Sequence, residues 1–133
     1  MLDFRRIAPA LGAAALAVSA FADSAVVFPS KDNTLFQFEG VEISNGIGIH
    51  LFTGRTNEVF PGGRRALLQF DIAGAVPAGS TITSARIRVT VNKTRVGSFP
   101  FTIHRLTADW GEGASDAGEP GGAGAPSMPG DAS

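Results

Sequence analysis

Cysteine and tyrosine are absent from this 133-residue chain, tryptophan occurs once, and only 17% of the residues are charged. Without cysteine there is no disulfide framework, no thiol nucleophile and no cysteine zinc site. The 11 Lys and Arg stand against 12 Asp and Glu, a net charge of −1. Such a balance excludes a protein dedicated to coating nucleic acid. Nor is there a long hydrophobic run: the uncharged stretch Ile7–Ala22 has 16 residues, including Pro9 and Ser19. It falls short of the ~20 needed to span a bilayer.

That stretch has a different meaning. Arg5 and Arg6 precede it, and it ends in Ala20-Phe21-Ala22, a small-x-small pattern followed by Asp23-Ser24. A positive start, an apolar run and such a site form the layout of a secretory signal peptide, with cleavage expected after Ala22. The mature protein is expected to be secreted, periplasmic or extracellular, with no membrane insertion once the leader is removed. Export without cysteine leaves stability to packing or to a bound ion.

Glycine (17) and proline (8) interrupt the rest too often for a long amphipathic helix. The apolar residues instead recur with period two, the period of a strand. Strands are expected at Ser24–Phe28, Thr34–Phe38, His50–Thr53, Arg65–Ile72, Ile82–Asn92 and Phe99–Thr107. The alternation is clearest in Ile82–Asn92, where Ala85, Ile87, Val89 and Val91 oppose Arg86, Arg88, Thr90 and Asn92. That pattern marks a half-buried antiparallel strand with one wet face. The expected core is Leu68, Phe70, Ala85, Ile87, Val89, Val91, Phe101 and Ile103. The fold class is all-β, an antiparallel β-sandwich, with an up-and-down barrel as the alternative.

The composition divides the chain into the leader 1–22, a sandwich domain 23–107 and a tail 108–133. Ten of the 26 tail residues are Gly or Pro, and five are acidic with no basic residue among them. A segment so poor in apolar residues is expected to be a flexible tail. The domain carries nine basic and six acidic residues, so a mildly basic body precedes an acidic tail.

Several short motifs occur in order: Asp32-Asn33-Thr34-Leu35, Asn45-Gly46-Ile47-Gly48, Arg65 to Ile72, Val76-Pro77-Ala78-Gly79-Ser80-Thr81-Ile82, and Leu106-Thr107-Ala108-Asp109-Trp110-Gly111-Glu112. Their order over Asp32–Glu112 resembles a DNRLRE-type domain, with Trp110-Gly111-Glu112 similar to that family's Trp-x-Glu hallmark. The resemblance implies a secreted bacterial jelly-roll sandwich related to carbohydrate-binding modules, a non-catalytic accessory domain. It also implies more strands than this chain holds, so the sandwich is expected to be incomplete at its C-terminus. An unpaired strand edge, open to self-association, is then expected.

Catalysis finds little footing. There is no Gly-x-Ser-x-Gly elbow, and the two histidines, His50 and His104, read as structural or solvated. Asp109 and Glu112 lie in a glycine-bearing loop without the rigidity that two glycosidase carboxylates need. The chain therefore reads as no enzyme, and a polysaccharide hydrolase is the least supported alternative. Calcium wants six to eight oxygens. Its candidate donors are Asp109, Glu112 and Asp116, with Asp32, Asn33 and the Glu42–Asn45 loop as further sources; the competing reading has these acids solvated or capping turns. For an extracellular, acidic polysaccharide the candidates are Arg86 and Arg88, whose guanidinium groups can grip carboxylates bidentately. Trp110 is the one available tryptophan platform, and the favoured reading makes it a packing residue that closes the core at a strand end. The alternative to binding is a structural spacer or cell-surface interaction domain with no ligand of its own.

Overall fold

A computed structural model of the protein describes residues 23–56, 62–94 and 97–132. The expected signal peptide, 1–22, lies outside the described residues.

The strands are β1 (Pro29–Phe38), β2 (Val41–Ser44), β3 (Gly54–Arg55), β4 (Gly63–Phe70) and β5 (Ala125–Pro126), with one helical turn, α1 (Ile72–Ala75), after β4. They form one sheet in the order β3-β4-β1-β2-β5, and every neighbouring pair is antiparallel. The protein is all-β, and its open sheet corresponds to one layer of an incomplete sandwich. It is not a closed barrel, because β3 and β5 do not meet.

β1 is the centre of the sheet. It pairs with β4 from Pro29↔Phe70 to Phe36↔Arg64, with an irregularity between Pro29 and Lys31. On its other side it pairs with β2 from Leu35↔Ser44 to Phe38↔Val41. The β1–β2 hairpin turns over two residues, Glu39 and Gly40, and Gly40 supplies the left-handed backbone (φ +72) that the tight turn requires. α1 starts where β4 ends because Asp71 caps it, its carboxylate accepting the Gly74 N–H at 2.9 Å.

Phe36 is the one buried apolar side chain among the described residues. Its ring lies 6.0 Å from that of Phe52, and the Arg64 guanidinium sits over both rings at 5.4 and 5.7 Å. Gly124 closes over this cluster. A Cβ there would overlap Ile43 Cγ2 and come within 3.0 Å of the Phe36 ring, and the backbone is left-handed as well (φ +72).

Several expected elements differ. Ser24–Phe28 forms no strand; β1 instead begins at Pro29, five residues before the expected strand Thr34–Phe38. His50–Thr53 forms no strand, although its Phe52 N–H donates to the Thr34 hydroxyl at 3.0 Å, and only Gly54–Arg55 joins the sheet there. The expected strands Ile82–Asn92 and Phe99–Thr107 pair with nothing among the described residues. Their share of the expected core is exposed: Ile87 53%, Val89 57%, Val91 71%, Phe101 63% and Ile103 68%. Ala85 is exposed too, while Leu68 and Phe70 are half-buried. Alternation selects which side chains would face a core, but the hydrogen bonds of a strand come from a neighbour.

The tail 108–133 also differs from the flexible segment that its composition suggests. It folds back on the sheet, and β5 pairs Pro126 with Ile43 and Ala125 with Ser44.

Candidate functional site

The tail and the sheet meet in a seam of polar side chains. Asn33, Thr34, Ser44, Asn45 and Ser115 are all buried, and every buried side-chain N and O atom among the described residues has a partner. Asn33 is central. Its carbonyl oxygen accepts the Asn45 N–H at 3.0 Å, and its amide donates to the Glu112 carbonyl at 2.8 Å. The Asn45 carbonyl oxygen accepts the Ala117 N–H at 2.9 Å, and its amide donates to the His50 carbonyl at 3.2 Å. One asparagine thus bonds the strand to the tail, and the next bonds the tail to the loop after β2. Ile47 N–H adds a backbone bond to the Ser115 carbonyl at 3.0 Å.

Ser44 and Asp131 form the second knot. The Ser44 hydroxyl donates to Asp131 Oδ2 at 2.9 Å and shares hydrogen bonds with the hydroxyls of Ser115 (2.8 Å) and Ser127 (3.1 Å). Asp131 also accepts N–H bonds from Met128 and Ala114, both at 2.7 Å, and from Ser115 at 3.4 Å. Burial pushes the Asp131 carboxyl upward. Hydrogen bonds from Met128, Ser115, Ser44 and Ala114 outweigh it and hold the group below the ordinary carboxylate value.

Close approach makes this docking possible. A Cβ at Gly46 would overlap the backbone oxygen of Glu112, so only glycine lets the two loops meet there.

The edge of β1 that β2 leaves uncovered is taken by the start of the tail. The Asp32 N–H donates to Glu112 Oε1 at 2.9 Å. Desolvation, and then the negative charge of Glu112, raise the Asp32 carboxyl above its ordinary value. Lys31 forms an ion pair with Asp109 at 2.8 Å, donates to the Trp110 carbonyl and lies 4.8 Å from the centre of the Trp110 ring. The Lys31 hydrogen bond, with the Trp110 N–H and the lysine charge, holds the Asp109 carboxyl below its ordinary value.

The candidate calcium donors are therefore dispersed. Asp109 faces Lys31, Glu112 holds the edge of β1, and Asp116 accepts the Gly118 N–H at 2.8 Å in a local turn. Among the described residues no three His, Cys, Asp or Glu side chains converge in a way that could hold a metal ion. Trp110 is half-buried, and its ring is engaged by Lys31. Arg86 and Arg88 are exposed, in a stretch that pairs with no strand among the described residues. No hydrogen bond, ion pair or ring contact among the described residues joins them to Trp110. The histidines are separate: His50 lies 3.6 Å from Glu119, and His104 Nε2 is 3.0 Å from the Thr102 hydroxyl.

Sequence reasoning missed Ser44, Ser115 and Asp131. Asn33 and Asn45 stand in short motifs, and Asn45-Gly46 carries the local signal of a turn followed by close approach. Asp131 is one acid among five in the tail, and nothing local marks it. Chemically the seam is a set of satisfied donors and acceptors that fastens a loop-rich segment to a sheet.

Comparisons with protein-family models, with curated proteins and with solved structures find no match for this chain.

Proposed function

We propose that this protein is a secreted, non-catalytic β-sandwich module that binds an extracellular acidic polysaccharide as an accessory domain. The observation that carries the reading is the run from Ile82 to Thr107, exposed at every described residue. It contains Arg86, Arg88, Lys93, Arg95 and Arg105 and not one acidic residue. Arg86 and Arg88 alternate with apolar residues and are both exposed, so two guanidinium groups are open to a polyanion. Of the acids in the tail, Asp109 is engaged by Lys31 and Asp131 by Ser44 and backbone N–H groups. The resemblance to a DNRLRE-type domain points the same way.

Attraction between exposed charges is screened over a Debye length of ~8 Å at physiological salt. Retention on alginate or pectin in affinity electrophoresis should therefore be strongest at low salt and fall in the Arg86→Ala/Arg88→Ala variant. Unchanged migration in both polymers at low salt would refute the reading. A second reading, a spacer without a ligand of its own, draws on the seam: its polar side chains are spent on one another, with no unpartnered buried group turned toward a ligand. Absence of retention together with an intact fold would favour it. Export belongs to the same proposal, and its check is the mass of the exported protein, expected to begin at Asp23.

A further inference from the structure

β4 is paired along most of its length on only one of its edges. β1 pairs with it from Arg64 to Phe70, whereas β3 reaches only Gly63 and Arg64 on the opposite side. Along that side no described strand pairs with Arg65–Phe70, about 20 Å of open edge at 3.4 Å per residue. An open edge of this length is a template for another strand. The same chain holds the complementary piece. Ile82–Asn92 alternates strictly from Ala85 onward, has no strand partner among the described residues, and leaves Ile87, Val89 and Val91 53–71% exposed. One molecule thus carries one strand without a sheet and one sheet edge without a strand.

We infer that Ile82–Asn92 pairs with the open edge of β4 in a second copy of this chain. Each copy gives one strand and receives one, so the contact is reciprocal and closes as a two-fold dimer. The patterns of the two segments fit. Ala66, Leu68 and Phe70 share one face of β4, which can continue into Ala85, Ile87, Val89 and Val91. Gln69 shares the opposite face, with Arg86, Arg88 and Thr90 beside it. The chain also leaves β4 through turns, with the Val76 N–H bonded to the Ile72 carbonyl and the Ser80 N–H to the Pro77 carbonyl. The rival arrangement, two Ile82–Asn92 segments pairing with each other, sets Arg86 and Arg88 against their own kind, and like charges directly opposite destabilise a strand pair. The open edge of β4 presents just one arginine, Arg65.

The absence of cysteine makes the test clean. Full chains carrying Gln69→Cys are mixed with chains carrying Arg86→Cys, Arg88→Cys or Thr90→Cys and mildly oxidised. Every one of these positions is exposed, so the substitutions leave the fold intact. Directly opposed, non-hydrogen-bonded positions of an antiparallel pair come close enough for a disulfide, so three donor positions sample the register. The expected result is a mixed disulfide of twice the chain mass for at least one donor position, with sedimentation equilibrium of the cysteine-free chain showing a dimer that Val89→Pro dissociates. Three results overturn the inference. One is a disulfide within single chains carrying both cysteines, at monomeric mass. Another is cross-linking that joins only two donor-strand cysteines. The third is a monomer at every concentration with no mixed disulfide.

Discussion

In the seam between sheet and tail, Asn33, Ser44, Asn45 and Ser115 are buried; in the stretch Ile82–Thr107, Ile87, Val89, Val91, Phe101 and Ile103 are exposed. The two regions handle side chains in opposite ways. A buried polar group is tolerated when its donors and acceptors are met, and in the seam they are. An apolar face gains nothing until another surface covers it, however regular its pattern. Order in this molecule therefore follows the availability of partners more closely than hydrophobicity. The tail has few apolar residues but finds β1 and β2, whereas the Ile82–Thr107 stretch has many and finds no second layer among the described residues.

The contrast can be broken most forcefully at Asn33. Asn33→Ala removes two hydrogen bonds and strands the Asn45 N–H and the Glu112 carbonyl, which should cost about 2–4 kcal/mol. Chemical denaturation read by far-UV circular dichroism checks this, and a loss below 1 kcal/mol would mean that the seam does not hold the tail.

Asp131→Ala comes next, with an expected loss of about 1–3 kcal/mol, because four donors lose a common acceptor. The pH dependence follows from its lowered carboxyl. A depressed folded-state value stabilises above the unfolded value of about 3.9 and loses that contribution as pH falls through the lower folded value. Amide exchange at Ala114 and Met128 should accelerate relative to β1 in that acid range.

Asp32 has the opposite sign. Its folded-state value is raised, so the ionised carboxylate works against the fold above that value, and the opposition fades as pH falls through it. Asp32→Asn should leave stability unchanged or slightly higher at pH 7, by thermal denaturation, and the gain should vanish at pH 3. A clear loss at pH 7 would show that the carboxylate has a stabilising partner.

Ile103→Thr should have the smallest effect, within about 0.5 kcal/mol, as for other exposed positions. A cost of 1.5 kcal/mol or more would place Ile103 in a core after all.

The sequence was readable where a local rule decides the outcome. The Thr34–Phe38 alternation lies inside β1 and Arg65–Phe70 lies inside β4, whereas β2, Val41–Ser44, falls outside every expected strand. Asp71 marks the boundary that the expected strand Arg65–Ile72 overran, because a capping carboxylate two residues after Gln69 starts α1. The seam was less readable. Asn33 and Asn45 could be singled out by their turn chemistry, but the partners of Asn33 lie 12 and 79 residues away. No local pattern encodes such separations.

By itself the sequence determined the strand period, the all-β class and the absence of any thiol chemistry, since each depends on residue type and near neighbours. Tertiary structure alone decided which alternating segments became strands, which acids were paired and where the tail went. The physical reason is that a strand's hydrogen bonds, a carboxylate's counter-charge and the burial of an asparagine are all supplied by residues distant in the chain. Ile82–Asn92 has the better alternation, yet Pro29–Phe38 is the strand, because β4 and β2 flank it on both sides.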